Sequence, residues 1–307
     1  MNKKLLFSGV IGLTGCLIIV CIVGQVGKGK RSKQPVPQAD SLYRTALSWQ
    51  SKNQTTKAVK LYQELVKKFP RSPKAAEALY KLAEIYEGES LWQEAKAAYN
   101  EIIVNFPSFE QISDVENKLW TLNIKVLFSP IVTERDILYK VEPGDTLAKI
   151  AAKYNTTVDL IMRSNSLDNH LIRPGKRLKV STAKYSVIVD KSQSSLALKA
   201  DEEIFKVYPV ATGKYDCTPE GAFKIVEKLK NPPWYKDGEG IIPPNTPENI
   251  LGTRWLGLSE PEYGIHGGAT EEDLGSQVTN GCVRMLNNEV EELFTILPRE
   301  TEVIIVD

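Results

Sequence analysis

The stretch from Tyr263 to Met285, YGIHGGATEEDLGSQVTNGCVRM, carries a histidine and a cysteine sixteen residues apart, His266 and Cys282. Gly267, Gly268, Gly275 and Gly281 let the chain turn where other residues resist, so the two side chains can be brought together. A thiol beside an imidazole can perform acyl transfer, because the imidazole takes or balances the thiol proton and the thiolate attacks a carbonyl. Such an attack needs donors for the developing oxyanion, and the backbone N–H groups around Gly281 and Cys282 are candidates. Arg284, two residues on, can hold a substrate carboxylate. The plain alternative is packing, since free cysteine is among the most buried residue types and is usually inert. By themselves the two residues leave these readings level. The chain holds only two histidines, His170 and His266, and one of them falls in this glycine-rich loop, which tilts the balance toward chemistry.

The segment resembles the active-site signature of the YkuD-type L,D-transpeptidases, in which a histidine followed by glycine leads, after a spacer, to Ser/Thr-x-Gly-Cys-Val/Ile-Arg. Here that run is Thr279-Asn280-Gly281-Cys282-Val283-Arg284. Three upstream runs resemble the family's other landmarks in the right order: Pro209 to Gly213, Thr218 to Ile225 and Leu251 to Leu258. The resemblance spans roughly Tyr185 to Asp307 and implies a peptidoglycan L,D-transpeptidase with a cysteine nucleophile and neither cofactor nor metal. In that reading Cys282 attacks the carbonyl before the terminal D-alanine of a tetrapeptide stem, D-alanine leaves, and the acyl group passes to an amine of another stem. His266 is then the general base. Arg284, the backbone from Asn280 to Cys282 with Gly281 at its centre, and Gly267 form the oxyanion and substrate-binding set. Thr279 supports His266 or the loop, with a merely structural hydroxyl as the equal alternative. Many family members carry a second histidine where this chain has Asn280, a side chain that donates hydrogen bonds but does not titrate. Two other functions stay open: an L,D-carboxypeptidase, in which water resolves the same thioester, and a non-catalytic peptidoglycan-binding scaffold.

Formal net charge is +1, from 39 basic and 38 acidic residues, so no global field draws in nucleic acid, and nucleic-acid binding is set aside. Of four cysteines, Cys16 and Cys21 lie in an N-terminal apolar run, which leaves Cys217 and Cys282 and no disulfide framework. Two histidines among scattered acids give no zinc spacing. Cys217 stands where the resembling motif usually has a hydroxyl; a plain substitution explains it, and a redox disulfide with Cys282 is the weaker reading.

The elements that must position the pair follow from the chain's order. Residues 5 to 26 are 22 positions without a charge, enough to cross a bilayer as a helix, so 1–26 is expected to be a membrane anchor. A cleaved signal, or a lipoprotein signal ending before Cys16, are its rivals. Lys28, Lys30, Arg31 and Lys33 outnumber Lys3 and Lys4, and a literal positive-inside count would leave the body in the cytoplasm. The wall-acting resemblance argues instead for a bacterial envelope protein anchored in the cytoplasmic membrane, with residues 27–307 outside. After a linker at 27–39, Ala58, Tyr62, Phe69 and Pro70 recur as Ala95, Tyr99, Phe106 and Pro107, each displaced by 37. This predicts stacked helical hairpins over 40–129 that resemble tetratricopeptide repeats and offer a surface for a protein partner.

Residues 138–181 predict a small βααβ unit that resembles a LysM module, implying a hold on peptidoglycan glycan. Asp145 is placed to cap its first helix and Thr156 or Thr157 its second, and His170 falls in its polar loop as an ordinary solvated residue. Residues 184–307 predict a mainly β catalytic domain. Its Pro- and Gly-rich stretch from Asn231 to Pro247 reads as a long loop able to cover a cleft. Trp234, Tyr235, Trp255 and Tyr263 are candidates to line the substrate path, with core packing as the commoner use of such residues.

Overall fold

The computed structural model describes residues 36–307 except 237 and 239. The apolar run at 5–26 and its expected anchor lie outside the described residues; among those described, no helix is long and apolar enough to cross a membrane.

Five helices come first: α1 (Val36–Ser51), α2 (Thr55–Lys68), α3 (Pro73–Gly88), α4 (Trp92–Asn105) and α5 (Ile112–Leu127). Ala58, Tyr62 and Leu65 in α2, and Ala95, Tyr99 and Ile102 in α4, are all fully buried, which is the i, i+4, i+7 stripe of a helix facing its neighbours. The 37-residue displacement extends to polar contacts. The Tyr62 hydroxyl donates to Gln50 Oε1 and the Tyr99 hydroxyl to Glu87 Oε1, so both buried phenols find an acceptor one helix back. Ser72 caps α3, its Oγ accepting from the Lys74 N–H at 3.2 Å, and Pro73 occupies the first turn, where no N–H is missed.

Strand β1 (Asp136–Lys140) pairs antiparallel with β2 (Arg177–Ser181) around α6 (Leu147–Lys153) and α7 (Val158–Ser164), the expected βααβ unit. The second cap is one of the two expected, and the first differs. Thr146 Oγ1 accepts from the Lys149 N–H and Thr157 Oγ1 from the Leu160 N–H. Asp145 instead takes the Glu142 N–H and the Tyr139 hydroxyl, both at 2.8 Å, closing the turn before the helix.

The rest is mainly β: β3 (Tyr185–Asp190), β4 (Ser195–Ala200), β5 (Glu203–Pro209), β6 (Thr212–Gly213), β7 (Gly221–Lys230), β8 (Trp234–Lys236), β9 (Gly240–Ile242), β10 (Arg254–Leu258), β11 (Gly264–His266), β12 (Gln277–Thr279) and β13 (Val283–Arg284), then α8 (Asn287–Ile296) and β14 (Glu302–Val306). Eight strands form one sheet in the order β13-β11-β10-β7-β14-β3-β4-β5. The stretch expected as a plain loop holds a hairpin, with β8 antiparallel to β9; three-residue strands are too short to show alternation among prolines and glycines.

The three units share packing. Ile124 and Leu127 of α5 and Leu160 of α7 belong to the same apolar cluster as the sheet of the third unit. Asn123 donates to the Phe205 carbonyl, covering the edge strand β5, and Arg135 bridges Asp201 and Glu203. Lys179 of β2, 2% exposed, gives its ammonium to the Val126, Leu127 and Ser129 carbonyls at the end of α5, with Asp136 at 3.6 Å. The Val126 carbonyl also takes the Ser129 N–H and hydroxyl, and at a helix C-terminus a cation is a natural further partner. Replacing Lys179 with Met takes the ammonium from these carbonyls and leaves the buried Asp136 carboxylate without its counter-charge. Loss of about 3–5 kcal/mol is expected in denaturant unfolding; an unchanged midpoint would contradict the role given to this contact.

Candidate active site

Only two residue pairs bring the distant cysteine and histidine together. β11 and β13 run parallel, with Ile265 opposite Val283 and His266 opposite Arg284. The sixteen-residue excursion between them closes because its backbone is tied at several points. Met285 N–H donates to the His266 carbonyl at 2.9 Å, and Ala211 and Arg284 exchange hydrogen bonds at 2.8 and 2.9 Å. β12 meanwhile pairs with β6. Continuing the β11–β13 register back by one residue sets Cys282 level with Gly264. Alternation then puts Cys282, Arg284 and His266 on one face, with the Cα atoms of Cys282 and His266 roughly 8 Å apart from strand spacing and rise.

That face is shaped by one indole. Trp255, opposite His266 on β10, stacks on the imidazole with ring centroids 5.8 Å apart and planes at 26°. A Cβ at Gly264 would lie 2.6–2.8 Å from the Trp255 ring, and one at Gly257 would lie 2.8 Å from its Nε1. Gly257 and Gly264 are themselves a cross-strand pair, so two side chains are omitted where the indole lies. Tyr263 forms another wall: Gly281, at φ +119°, could not carry a Cβ, which would fall 2.4 Å from the tyrosine Cε1. Tyr235 is 72% exposed on the β8–β9 hairpin.

His266 is 2% exposed, and its Nδ1 lies 2.8 Å from the Gly267 carbonyl. A carbonyl only accepts, so this contact favours the tautomer with the proton on Nδ1 and the lone pair on Nε2. Burial lowers the imidazole to about 4 and the Arg284 charge adds to this, against the carbonyls of Gly267 and Leu251. Burial also lifts the Cys282 thiol above its ordinary value, opposed by the backbone of Gly264 and the Arg284 charge. Cys282 Sγ rests 3.6 Å from the Glu262 carbonyl. Both groups are therefore neutral near pH 7. Arg284 Nε is buried without a partner, and no carboxylate among the described residues pairs with this side chain.

The loop before the cysteine is organised by Thr279, 2% exposed. Its hydroxyl donates to the Cys282 carbonyl at 2.6 Å and accepts from the Gly281 N–H at 3.2 Å. The expected oxyanion donors thus separate: the Gly281 N–H is engaged, whereas the Cys282 N–H has no partner among the described residues. Asn280 is exposed. Cys217 lies near this loop, as a Cβ at Gly213 would sit 2.6 Å from its Sγ and 2.9 Å from the Gly281 Cα. His170 is exposed in the small βααβ unit. Sequence reasoning passed over Asn287, the first residue of α8, whose Oδ1 accepts from the Thr253 and Gly268 N–H groups at 3.0 and 3.1 Å. Only the run of glycines at 252, 267 and 268 hinted at such a close approach.

Three family models match this chain: a tetratricopeptide repeat at residues 40–72 and 77–108, a LysM domain at 139–181 and an L,D-transpeptidase catalytic domain at 184–305. YqjB of Bacillus subtilis strain 168, named as an L,D-transpeptidase, is 44% identical over 127 residues, which are 39% of this chain and 70% of that protein. YkuD of Bacillus licheniformis, named likewise, is 34% identical over 176 residues, 54% of this chain and 97% of its own. Among solved structures, an L,D-transpeptidase from Mycobacterium smegmatis aligns with 43% of this chain and 64% of its own, at 14% identity and a TM-score of 0.35.

The depressed imidazole has a consequence for stability. As pH falls below about 6.5, the unfolded chain binds a proton that native His266 refuses until about 4. The native state is stabilised in full above the unfolded value and loses roughly 3 kcal/mol as pH falls through this window. Comparing urea unfolding at pH 7 and pH 4.5, the His266→Gln variant should lose measurably less stability than the parent; identical losses would contradict a buried neutral imidazole.

Proposed function

Because the chain belongs to the L,D-transpeptidase family, we propose that it crosslinks peptidoglycan through a thioester on Cys282, with His266 as the base. The observation that carries this reading is the β11–β13 pairing, which sets a free thiol and a neutral, buried imidazole on one face. As Sγ attacks the carbonyl that links the third residue of a tetrapeptide stem to its terminal D-alanine, the thiol proton passes to His266 Nε2. The tetrahedral intermediate collapses, the C–N bond breaks, and the imidazolium returns the proton to the departing D-alanine amine. An amine of a second stem then attacks the thioester, His266 takes its proton, and the thiol is restored. One amide is broken and one formed, so no external energy source is needed.

The Cys282 N–H is the donor assigned to the oxyanion, with the Asn280 amide on the exposed side of the loop. Gly281 contributes close approach, and its own N–H stays with Thr279, which holds the Cys282 carbonyl. Arg284, which pairs with no carboxylate among the described residues, is assigned to a stem carboxylate. Its charge also favours thiolate over thiol as the proton leaves. Gly267 acts through its carbonyl, which holds the His266 tautomer.

Peptidoglycan glycan is assigned to the LysM unit. Thr157 and Asp159 of α7 bond to the Thr295 carbonyl and Lys230, which supports a glycan held at a fixed offset from Cys282. The substrate lies outside the cytoplasm, and residues 1–26 are assigned to anchoring the chain in the membrane, with the helical repeats left for a protein partner.

The test is intact mass spectrometry of the protein with purified tetrapeptide muropeptides. The expected result is an acyl adduct, free D-alanine and a crosslinked dimer, none of them formed by Cys282→Ala. His266→Ala should acylate roughly 10²–10⁴-fold more slowly while remaining folded. Full activity in either variant would remove the assignment, and tripeptide product without dimer would convert the reading to a carboxypeptidase.

A further inference from the structure

The peptide unit between Gly267 and Gly268 is held from both ends. Its carbonyl oxygen accepts from His266 Nδ1 at 2.8 Å, and its N–H donates to Asn287 Oδ1 at 3.1 Å. Because a peptide is planar and trans, its C=O and N–H point in opposite directions, and fixing one fixes the other. The same Oδ1 takes the Thr253 N–H at 3.0 Å, so one side-chain oxygen ties together the two loops that flank the histidine. The approach is close enough to require missing side chains. A Cβ at Gly252 or Gly267 would lie 2.3 or 2.2 Å from that oxygen. Gly252 and Gly268 also sit at φ +65° and +81°, where other residues are strained.

Asn287 is itself well anchored. It opens α8, which buries Val290, Leu293, Phe294 and Ile296, and Lys228 of β7 gives its ammonium to the Phe294 and Leu297 carbonyls at the other end, both at 2.6 Å. The 267–268 peptide has no comparable stiffness of its own, since glycines on both sides leave it free to rotate. Rotated, it would present its N–H to the imidazole. The proton would then favour Nε2, and the lone pair needed to accept the thiol proton would be turned away.

We propose that Asn287 is a positioning residue for this reaction: by holding the Gly268 N–H it aims the Gly267 carbonyl, and so keeps His266 in the tautomer that leaves Nε2 free. This rests on the reading of His266 as the base. Nothing in the proposal has Asn287 touch substrate.

The experiment reads the tautomer directly. The chain has two histidines, so imidazole 15N spectra of the full-length protein in detergent contain two ring systems, and His170→Asn assigns them. The parent should show His266 protonated at Nδ1 at pH 7. Asn287→Ala should move His266 toward the Nε2–H form and lower kcat for acylation by roughly 10–100-fold, with KM within about twofold. Asn287→Asp keeps an acceptor oxygen and should restore both the Nδ1–H signal and most of kcat. If Asn287→Ala fails to fold, Asn287→Gln displaces the acceptor and gives the same readout. A slow variant whose His266 remains protonated at Nδ1 overturns the proposal and leaves Asn287 with loop packing alone. A parent already protonated at Nε2 overturns both this inference and the base assignment, whereas normal tautomers beside an active His266→Ala overturn the base assignment first.

Discussion

A two-residue parallel ladder joins the segments that hold the candidate thiol and imidazole. β11 and β13 meet only at Ile265 with Val283 and at His266 with Arg284, yet this contact brings into one site residues separated by a sixteen-residue excursion. So short a ladder contributes little stability alone, and its surroundings have to hold it. The Ala211–Arg284 exchange closes it on one side, Met285 closes it onto His266, and β10 carries it into the eight-stranded sheet through the Trp255–His266 and Gly257–Gly264 pairs. The indole fills the space left by two glycines and shields the imidazole.

Burial then decides the electrostatics. It pushes the histidine down and the thiol up, so a permanent thiolate–imidazolium pair is disfavoured. Arg284 works in both directions, disfavouring the charged imidazole and favouring the thiolate. A resting neutral thiol is a weak nucleophile. The larger scaffold repeats the theme of cations at helix ends: buried Lys179 closes α5 and half-buried Lys228 closes α8, each joining a helix to a strand.

Much of this was legible in the sequence where the signal is local. The 37-residue displacement marked the repeats because each hairpin buries the same stripe, and His266 and Cys282 stood out because their types and glycine setting are unusual together. Local rules faltered where two neighbouring residues could each serve. Thr146, not Asp145, caps α6, since Asp145 is drawn to the Glu142 N–H. The β8–β9 hairpin was hidden by prolines and glycines. What sequence could not carry was contact between distant segments: the Gly281 N–H is spent on Thr279, Trp255 needs Gly264 from another strand, and Asn287 joins loops more than thirty residues from one end to the other. Each is a consequence of register, which is fixed only when the sheet forms.

The central claim, a resting pair that is neutral on both sides, is tested most directly by the pH dependence of Cys282 alkylation in substrate-free protein. Iodoacetamide would be followed at each thiol by peptide mass mapping, with exposed Cys217 as internal comparison. The account predicts a Cys282 rate that is low at neutral pH and still climbing above pH 9, later than a free thiol. A rate that reaches its plateau below pH 7 would mean a preformed thiolate–imidazolium pair and would contradict it.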